Sequence, residues 1–144
     1  MAQNAFGDEQ IAAITAVGFS LYQQGKLEDA ATMFEGLTVM SPSNYAGFAG
    51  LGAVALAKEP PALEDAVTHL TQAAKLNGSD ASVQANLGEA LLRQGKLDEA
   101  SKAFEKSMTL DPNRQDAGAN RARAIINGLD VVAGELRKMA AASA

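Results

Sequence analysis

Few residues of this 144-residue sequence are of a type that could take part in catalysis. His69 is the single histidine and cysteine is absent, which excludes disulfides, thiolate metal sites and thiol nucleophiles. One histidine without a thiol is too little for a common zinc site, and no spacing suggests a Ser-His-Asp arrangement. The sequence therefore predicts no enzyme, no metal site and no cofactor.

Paired acidic residues recur three times, as Glu28-Asp29, Glu64-Asp65 and Asp98-Glu99. Carboxylate pairs can act as general acid and base when they share a pocket. Here each pair stands where a helix is expected to begin, and acidic side chains are favoured at the positive end of a helix dipole. We interpret the pairs as helix-start residues whose recurrence comes from a repeat.

The repeat has a short signature, Gly-Lys-Leu followed by two acidic residues and Ala, at 25–30 and again at 95–100. In both copies a Phe follows the Ala by 4 residues and a Pro follows it by 12. A shortened copy, Leu-Glu-Asp-Ala, stands at 63–66. The steps between the three Ala positions are 36 and 34 residues, and 34 is the period of the tetratricopeptide repeat. Pro60-Pro61 accounts for the longer step.

The spacing predicts pairs of antiparallel helices. A small residue in each first helix allows close approach to a large residue of the second helix, and the large residue lies one turn beyond the signature Ala. A generic helical bundle is the alternative. The small residues are Gly18, Gly52 and Gly88, and the large residues are Phe34, Leu70 and Phe104.

These patterns predict an all-α, right-handed helical-hairpin solenoid with about eight helices and no strand. We expect a single tetratricopeptide repeat domain over 1–144, with three repeats and a C-terminal cap. Asp8 is expected to be the N-cap residue of the first helix. The C-terminal cap of the solenoid is expected to contain two helices. The repeats are placed at about 11–44, 45–80 and 81–114, and the cap at 115–144, with its helices at 115–128 and 129–141.

Two strings resemble the bacterial type III secretion chaperones that hold hydrophobic translocator subunits (class II). They are FSLYQQGKLEDA at 19–30, followed by Phe34, Leu37 and Val39, and FAGLGA at 48–53. The resemblance implies a cytoplasmic chaperone without enzymatic activity, which would bind an extended client segment in a concave groove.

The first helices of successive repeats are expected to line that groove with small and apolar residues. The alternative for Phe19, Leu56 and Tyr22 is that their side chains pack in the hydrophobic core between repeats and do not face the groove. Asn86 is the nearest polar amide, and the pattern places no basic residue beside it, which disfavours a carboxylate site. The predicted peptide-binding residues are Ala12, Thr15, Phe19, Tyr22, Ala46, Ala49, Ala53, Leu56, Ala85, Glu89, Leu92, Arg93 and Arg123.

The predicted partner is a protein or peptide client with an extended apolar segment, and a homodimer is possible. A net charge of -5 without a basic patch argues against nucleic acid. The uncharged run 36–57 contains the turn Ser41-Pro42-Ser43-Asn44, so no membrane span is expected there. No Lys or Arg precedes Lys26, so no secretory signal is expected. A structural scaffold or adaptor subunit of a multiprotein assembly is the alternative function.

Overall fold

The computed structural model describes residues 7–143, in which α-helices are the only regular elements. Six helices form three consecutive antiparallel pairs, and a long seventh helix packs on the last pair. This architecture confirms the predicted all-α repeat solenoid. The helices are α1 (Asp8–Gln23), α2 (Leu27–Met40), α3 (Tyr45–Ala57), α4 (Leu63–Leu76), α5 (Ala81–Arg93), α6 (Leu97–Leu110) and α7 (Ala117–Ala142).

The turns within the first and third pairs depend on a glycine with a left-handed backbone. Gly25 has φ 76° and Gly95 has φ 80°, a region that glycine enters without steric cost. After Gly25, the amide of Lys26 donates back to the carbonyl of Leu21 at 2.9 Å, and the third pair repeats this bond. Such bonds end a helix by pairing its last free carbonyls, so the chain reverses within three residues.

The core lies between the helices of each pair, on the residues that the repeat signature predicts. Phe34 and Leu70 are 0% exposed and Phe104 is 1% exposed. A β-carbon added to the facing glycine would meet each of these side chains at 2.4–2.7 Å. Only glycine leaves room there, so the predicted close approach at Gly18, Gly52 and Gly88 is confirmed.

The cap differs from the prediction, because residues 117–142 form one continuous helix instead of two. Residues 7–143 therefore form seven helices where about eight were expected for the chain. Gly128 lies inside α7 with no neighbouring atom near its missing side chain and no proline beside it. A single glycine costs a helix interior about 1 kcal/mol, which does not break a 26-residue helix.

The start of the first helix also differs. Asp8 is the first residue of α1, and Gly7 occupies the N-cap position. The side chain of Gln10 accepts a hydrogen bond from the amide of Gly7 at 3.0 Å, so a glutamine three residues along closes this end. Across residues 7–143, no helix has both the length and the apolar character that a membrane crossing needs.

Candidate functional site

The first helices of the repeats form one continuous surface, because α1 packs beside α3, α3 beside α5 and α5 beside α7. Two side-chain bonds of similar placement join neighbouring hairpins at the helix starts. The hydroxyl of Tyr45 donates to Asp80 at 2.9 Å, and the hydroxyl of Ser82 donates to Asp116 at 2.9 Å. Each acceptor is also the N-cap residue of its own helix. These bonds therefore hold the start of α3 next to the start of α5, and the start of α5 next to the start of α7.

One end of this surface, where α3, α5 and α7 meet, holds a pocket of about 230 Å³. Small side chains form its floor, and amide and charged groups form its rim. Residues of α1, α3, α5 and α7 contribute to it. We call it the polar pocket. The polar pocket is lined by Tyr22, Ala53, Leu56, Ala57, Asn86, Glu89, Arg93 and Arg121.

Arg121 organises the rim of the polar pocket. Its guanidinium donates to Oδ1 of Asn86 at 3.0 Å, and its Nε lies 3.9 Å from a carboxylate oxygen of Glu89. The Arg121 side chain is 50% exposed, so part of the guanidinium faces solvent in the pocket. The expectation that Asn86 has no basic partner beside it was therefore wrong.

A second pocket of about 490 Å³ lies at the other end of the surface, between the starts of α1 and α3. Small and apolar side chains dominate it, so we call it the apolar pocket. The hydroxyl of Thr15 donates to the carbonyl of Ile11 at 2.8 Å, so its hydrogen bond is made within α1. The apolar pocket is lined by Asp8, Ile11, Ala12, Thr15, Ala16, Asn44, Tyr45 and Ala46.

Eight of the thirteen predicted groove residues line these two pockets. Tyr22 and Leu56 also pack on the buried core clusters, so they serve the core and the groove together. In the polar pocket these residues are Tyr22, Ala53, Leu56, Glu89 and Arg93, and in the apolar pocket they are Ala12, Thr15 and Ala46.

The other five predicted residues line neither pocket. Phe19 packs edge-on against Phe34 with ring centroids 4.9 Å apart, and this is the core role that the sequence left open. Ala49 is 9% exposed and Ala85 is 1% exposed, so both belong to the buried core. Leu92 packs on the cluster that contains Ala85. The remaining residue is Arg123.

Arg123 points away from the groove, into the turn between α6 and α7. It contacts Asp111 at 3.2 Å and donates to Asn120 at 2.8 Å and to the carbonyls of Met108 and Asp111. Residues two apart on a helix face nearly opposite directions, so Arg121 is in the groove and Arg123 is not. Sequence reasoning chose the wrong arginine, although Asn86 and Arg121 stand one repeat length apart.

The same turn has a carboxylate whose titration is tied to folding. Burial raises the pKa of Asp111. Hydrogen bonds from the amides of Gln115 and Asp116, together with the Arg123 guanidinium, lower the pKa by more than burial raises it. The net pKa of Asp111 lies below its ordinary value.

Within residues 7–143 no three histidine, aspartate or glutamate side chains gather in a way that could hold a metal ion.

Comparison with known proteins identifies the repeat. Residues 81–114 match the family model of the tetratricopeptide repeat. DnaJ homolog subfamily C member 3 of Mus musculus is 33% identical over 102 residues, which are 69% of this chain. This chain spans only 19% of the length of that relative.

Two solved structures show the same architecture over most of the chain. PcrH, in complex with the chaperone binding region of PopB, has a TM-score of 0.72 and 26% identity, covering 85% of this chain and 98% of PcrH. The type III secretion translocator chaperone SycD of Yersinia enterocolitica has a TM-score of 0.78 and 22% identity, covering 91% and 90% of the two chains. Residues 81–114 of this chain therefore match the tetratricopeptide repeat, and the fold of the chain is similar to the folds of PcrH and SycD.

Proposed function

We propose that this protein is a chaperone that holds an extended segment of a client polypeptide in the groove formed by α1, α3, α5 and α7. It acts by binding alone, without catalysis, and in the cytoplasm. The observation that carries the proposal is the pair of pockets on one surface, an apolar pocket at the starts of α1 and α3 and a polar pocket lined by α1, α3, α5 and α7. The similarity to PcrH, which was solved with a segment of PopB, supports it.

The apolar pocket would supply most of the binding energy. Ala12, Ala16 and Ala46 are small, so a client backbone can lie close to the helices. Apolar side chains of the client would then bury against Ile11 and the ring of Tyr45. Such burial is worth roughly 25 cal/mol per Å², from which the ordering of the segment must be subtracted.

The polar pocket would fix the direction of the client. Arg93 and Arg121 offer donors on one rim and Glu89 offers an acceptor, while Asn86 offers both. A client placed with its acidic or amide groups at this end would make charge-assisted hydrogen bonds that the reverse direction lacks. The groove therefore suits an apolar segment with a polar residue near one end.

The test uses labelled extended peptides, with the chaperone binding region of PopB as the first probe. We expect the wild-type chain to bind at least one of them. Ala12→Glu should weaken that binding about tenfold or more, because a charge would be buried in the apolar pocket. Ala13→Glu is the matched control, since Ala13 is exposed on the same helix and lines neither pocket.

Equal binding by the two variants would place the client on another surface. If no extended peptide binds and only folded proteins do, the chain is a scaffold or adaptor subunit instead of a chaperone. Circular dichroism of both variants checks that the helices are intact before binding is compared.

A further inference from the structure

The polar pocket contains more positive charge than its own residues balance. Arg93 lines the pocket and forms no ion pair with any residue of 7–143. Arg121 is half exposed there and brings a second guanidinium. Among the described lining residues Glu89 has the sole carboxylate, so one positive charge in the pocket is left unbalanced. This local surplus is an exception in a chain whose net charge is -5.

Glu89 does not use up the hydrogen-bonding capacity of Arg121. Its carboxylate oxygen lies 3.9 Å from Nε of Arg121, which is outside hydrogen-bond distance. A guanidinium has five N–H groups, and the bond to Asn86 uses one of them. Arg121 therefore keeps donors for a ligand, while Glu89, whose side chain is 22% exposed, stays beside it as a fixed negative charge.

The amide of Asn86 is oriented to donate to a ligand. Its Oδ1 accepts from Arg121 at 3.0 Å, which assigns the oxygen and leaves the two N–H groups of the amide to donate elsewhere. Asn86, Glu89 and Arg93 follow one another on α5 at spacings of three and four residues, so they share one face of that helix. Donors from α5 and from α7 therefore line the same pocket.

A carboxylate matches this arrangement of donors and charge. It has two accepting oxygens and no donor, and it carries a single negative charge. Guanidinium groups bind it through short, charge-assisted hydrogen bonds. A neutral amide would leave the positive charge unbalanced, and a cation would be repelled by it. Ala53 and Ala57 are small, so they leave room for the methylene groups of an acidic side chain.

We propose that the polar pocket binds one carboxylate, the side chain of an aspartate or glutamate of the client segment. The surface continues across α1, α3, α5 and α7, so a chain lying along it passes the pocket and presents a side chain to it. This proposal rests on the proposed client binding and adds the residue type that the client must carry. Glu89 limits the pocket to one carboxylate, because its charge beside Arg121 disfavours a second.

Nuclear magnetic resonance of the nitrogen-15-labelled chain at low salt tests the pocket without a client. The probe is aspartate blocked at both ends as its N-acetyl amide, and blocked asparagine is the neutral control. We expect the aspartate probe to shift the side-chain N–H signals of Arg93, Arg121 and Asn86 in a saturable way. The signal of Arg123, which is paired with Asp111 outside the groove, should stay in place. Equal shifts with blocked asparagine, or no shifts up to about 50 mM aspartate probe, would overturn the proposal.

Charge variants separate the pocket from the net charge of the chain. Glu89→Gln removes the negative charge beside Arg121, so it should tighten binding of the aspartate probe about threefold to tenfold. Glu105→Gln makes the same change of charge at an exposed residue of α6 outside both pockets, and should leave the affinity unchanged. Arg121→Ala should weaken the probe about tenfold or more. Equal effects of Glu89→Gln and Glu105→Gln would contradict the proposal.

N-acetyl-alanine, whose one carboxylate is a chain end, tests the source of the carboxylate. We expect it to bind no more tightly than blocked aspartate. If it shifts the Arg121 and Asn86 signals at lower concentrations, the pocket takes the carboxyl terminus of a client, and the side-chain assignment is overturned. Because these probes need the pocket alone, their failure does not bear on client binding, and failure of the extended peptides leaves the carboxylate site in place.

Discussion

The ring of Phe104 lies directly on Gly88, so that a β-carbon at position 88 would meet Cδ1 and Cε1 of Phe104 at 2.5 Å. The same relationship joins Gly52 to Leu70 at 2.4 Å. Phe34 is held from two sides, by Gly18 at 2.7 Å and by Gly50 at 2.3 Å. Each hairpin is thus closed by a large side chain that fills the space left by a glycine of the first helix.

Gly88→Ala should destabilise the protein by about 1–3 kcal/mol, because the added methyl group overpacks a core that has no free space. The matched control is Gly128→Ala, also inside a helix but with nothing within 4 Å of the added carbon. That variant should be neutral or more stable by up to about 1 kcal/mol, since alanine favours the helix. Thermal unfolding of both decides, and equal melting temperatures would contradict the packing described.

Phe104→Ala should cost about 3–5 kcal/mol, since it removes a buried aromatic ring and leaves a cavity against Gly88. Three repeats are about the minimum for a stable array, so this loss nearly unfolds the chain. Lys102→Ala, on the exposed face of the same helix, should cost less than about 0.5 kcal/mol. Denaturant titration of the two variants measures the difference, and similar midpoints would refute the assignment of Phe104 to the core.

Asp111→Asn should make stability less sensitive to acid. Because the pKa of Asp111 is lowered on folding, its ionised form stabilises the protein above the ordinary aspartate pKa of about 3.9. That contribution is lost as the pH falls through the lowered pKa. The wild type should therefore be more stable than the variant at pH 7, and the difference should shrink below about pH 4. A difference that stays constant with pH would show that the carboxylate charge is not involved.

Arg121→Ala should weaken client binding and reduce its dependence on salt. Arg121 holds Asn86 at 3.0 Å and faces the groove, so its loss removes a cation and releases the amide. We expect a decrease in affinity of about tenfold to a hundredfold at low salt, typical of one charge-assisted hydrogen bond.

Peptide titrations at two salt concentrations measure the effect of Arg121→Ala. Lys102→Ala removes an equal charge from an exposed position outside both pockets and serves as the control. If Lys102→Ala changes the affinity as much as Arg121→Ala does, net charge and not the polar pocket governs binding.

The burial of each predicted groove residue decides which variants can test the proposed groove. A charge at Ala49 would appear from the sequence to block the groove without affecting the fold. Ala49 is 9% exposed and packs in the core cluster of Leu70 and Val83, so Ala49→Glu would unfold the hairpin instead. Ala12 is exposed and lines the apolar pocket, so Ala12→Glu changes the groove without placing a charge in the core.

The repeat signature alone determined the pairing within each hairpin. Gly88 and Phe104 are 16 residues apart, and the distance between them in space depends only on two short helices and one tight turn. The left-handed glycines, the three antiparallel pairs and the residues that close them follow from this local spacing.

Only the tertiary structure decided which side chains that surface presents. Ala85 is buried in the same cluster as Ala122 of α7, and Arg123 contacts Asp111, 12 residues earlier in the chain. Arg121, on the other side of α7, donates to Asn86, 35 residues away. A pattern within one repeat carries no information about the angle between repeats, because the angle comes from contacts that form only when the hairpins pack together.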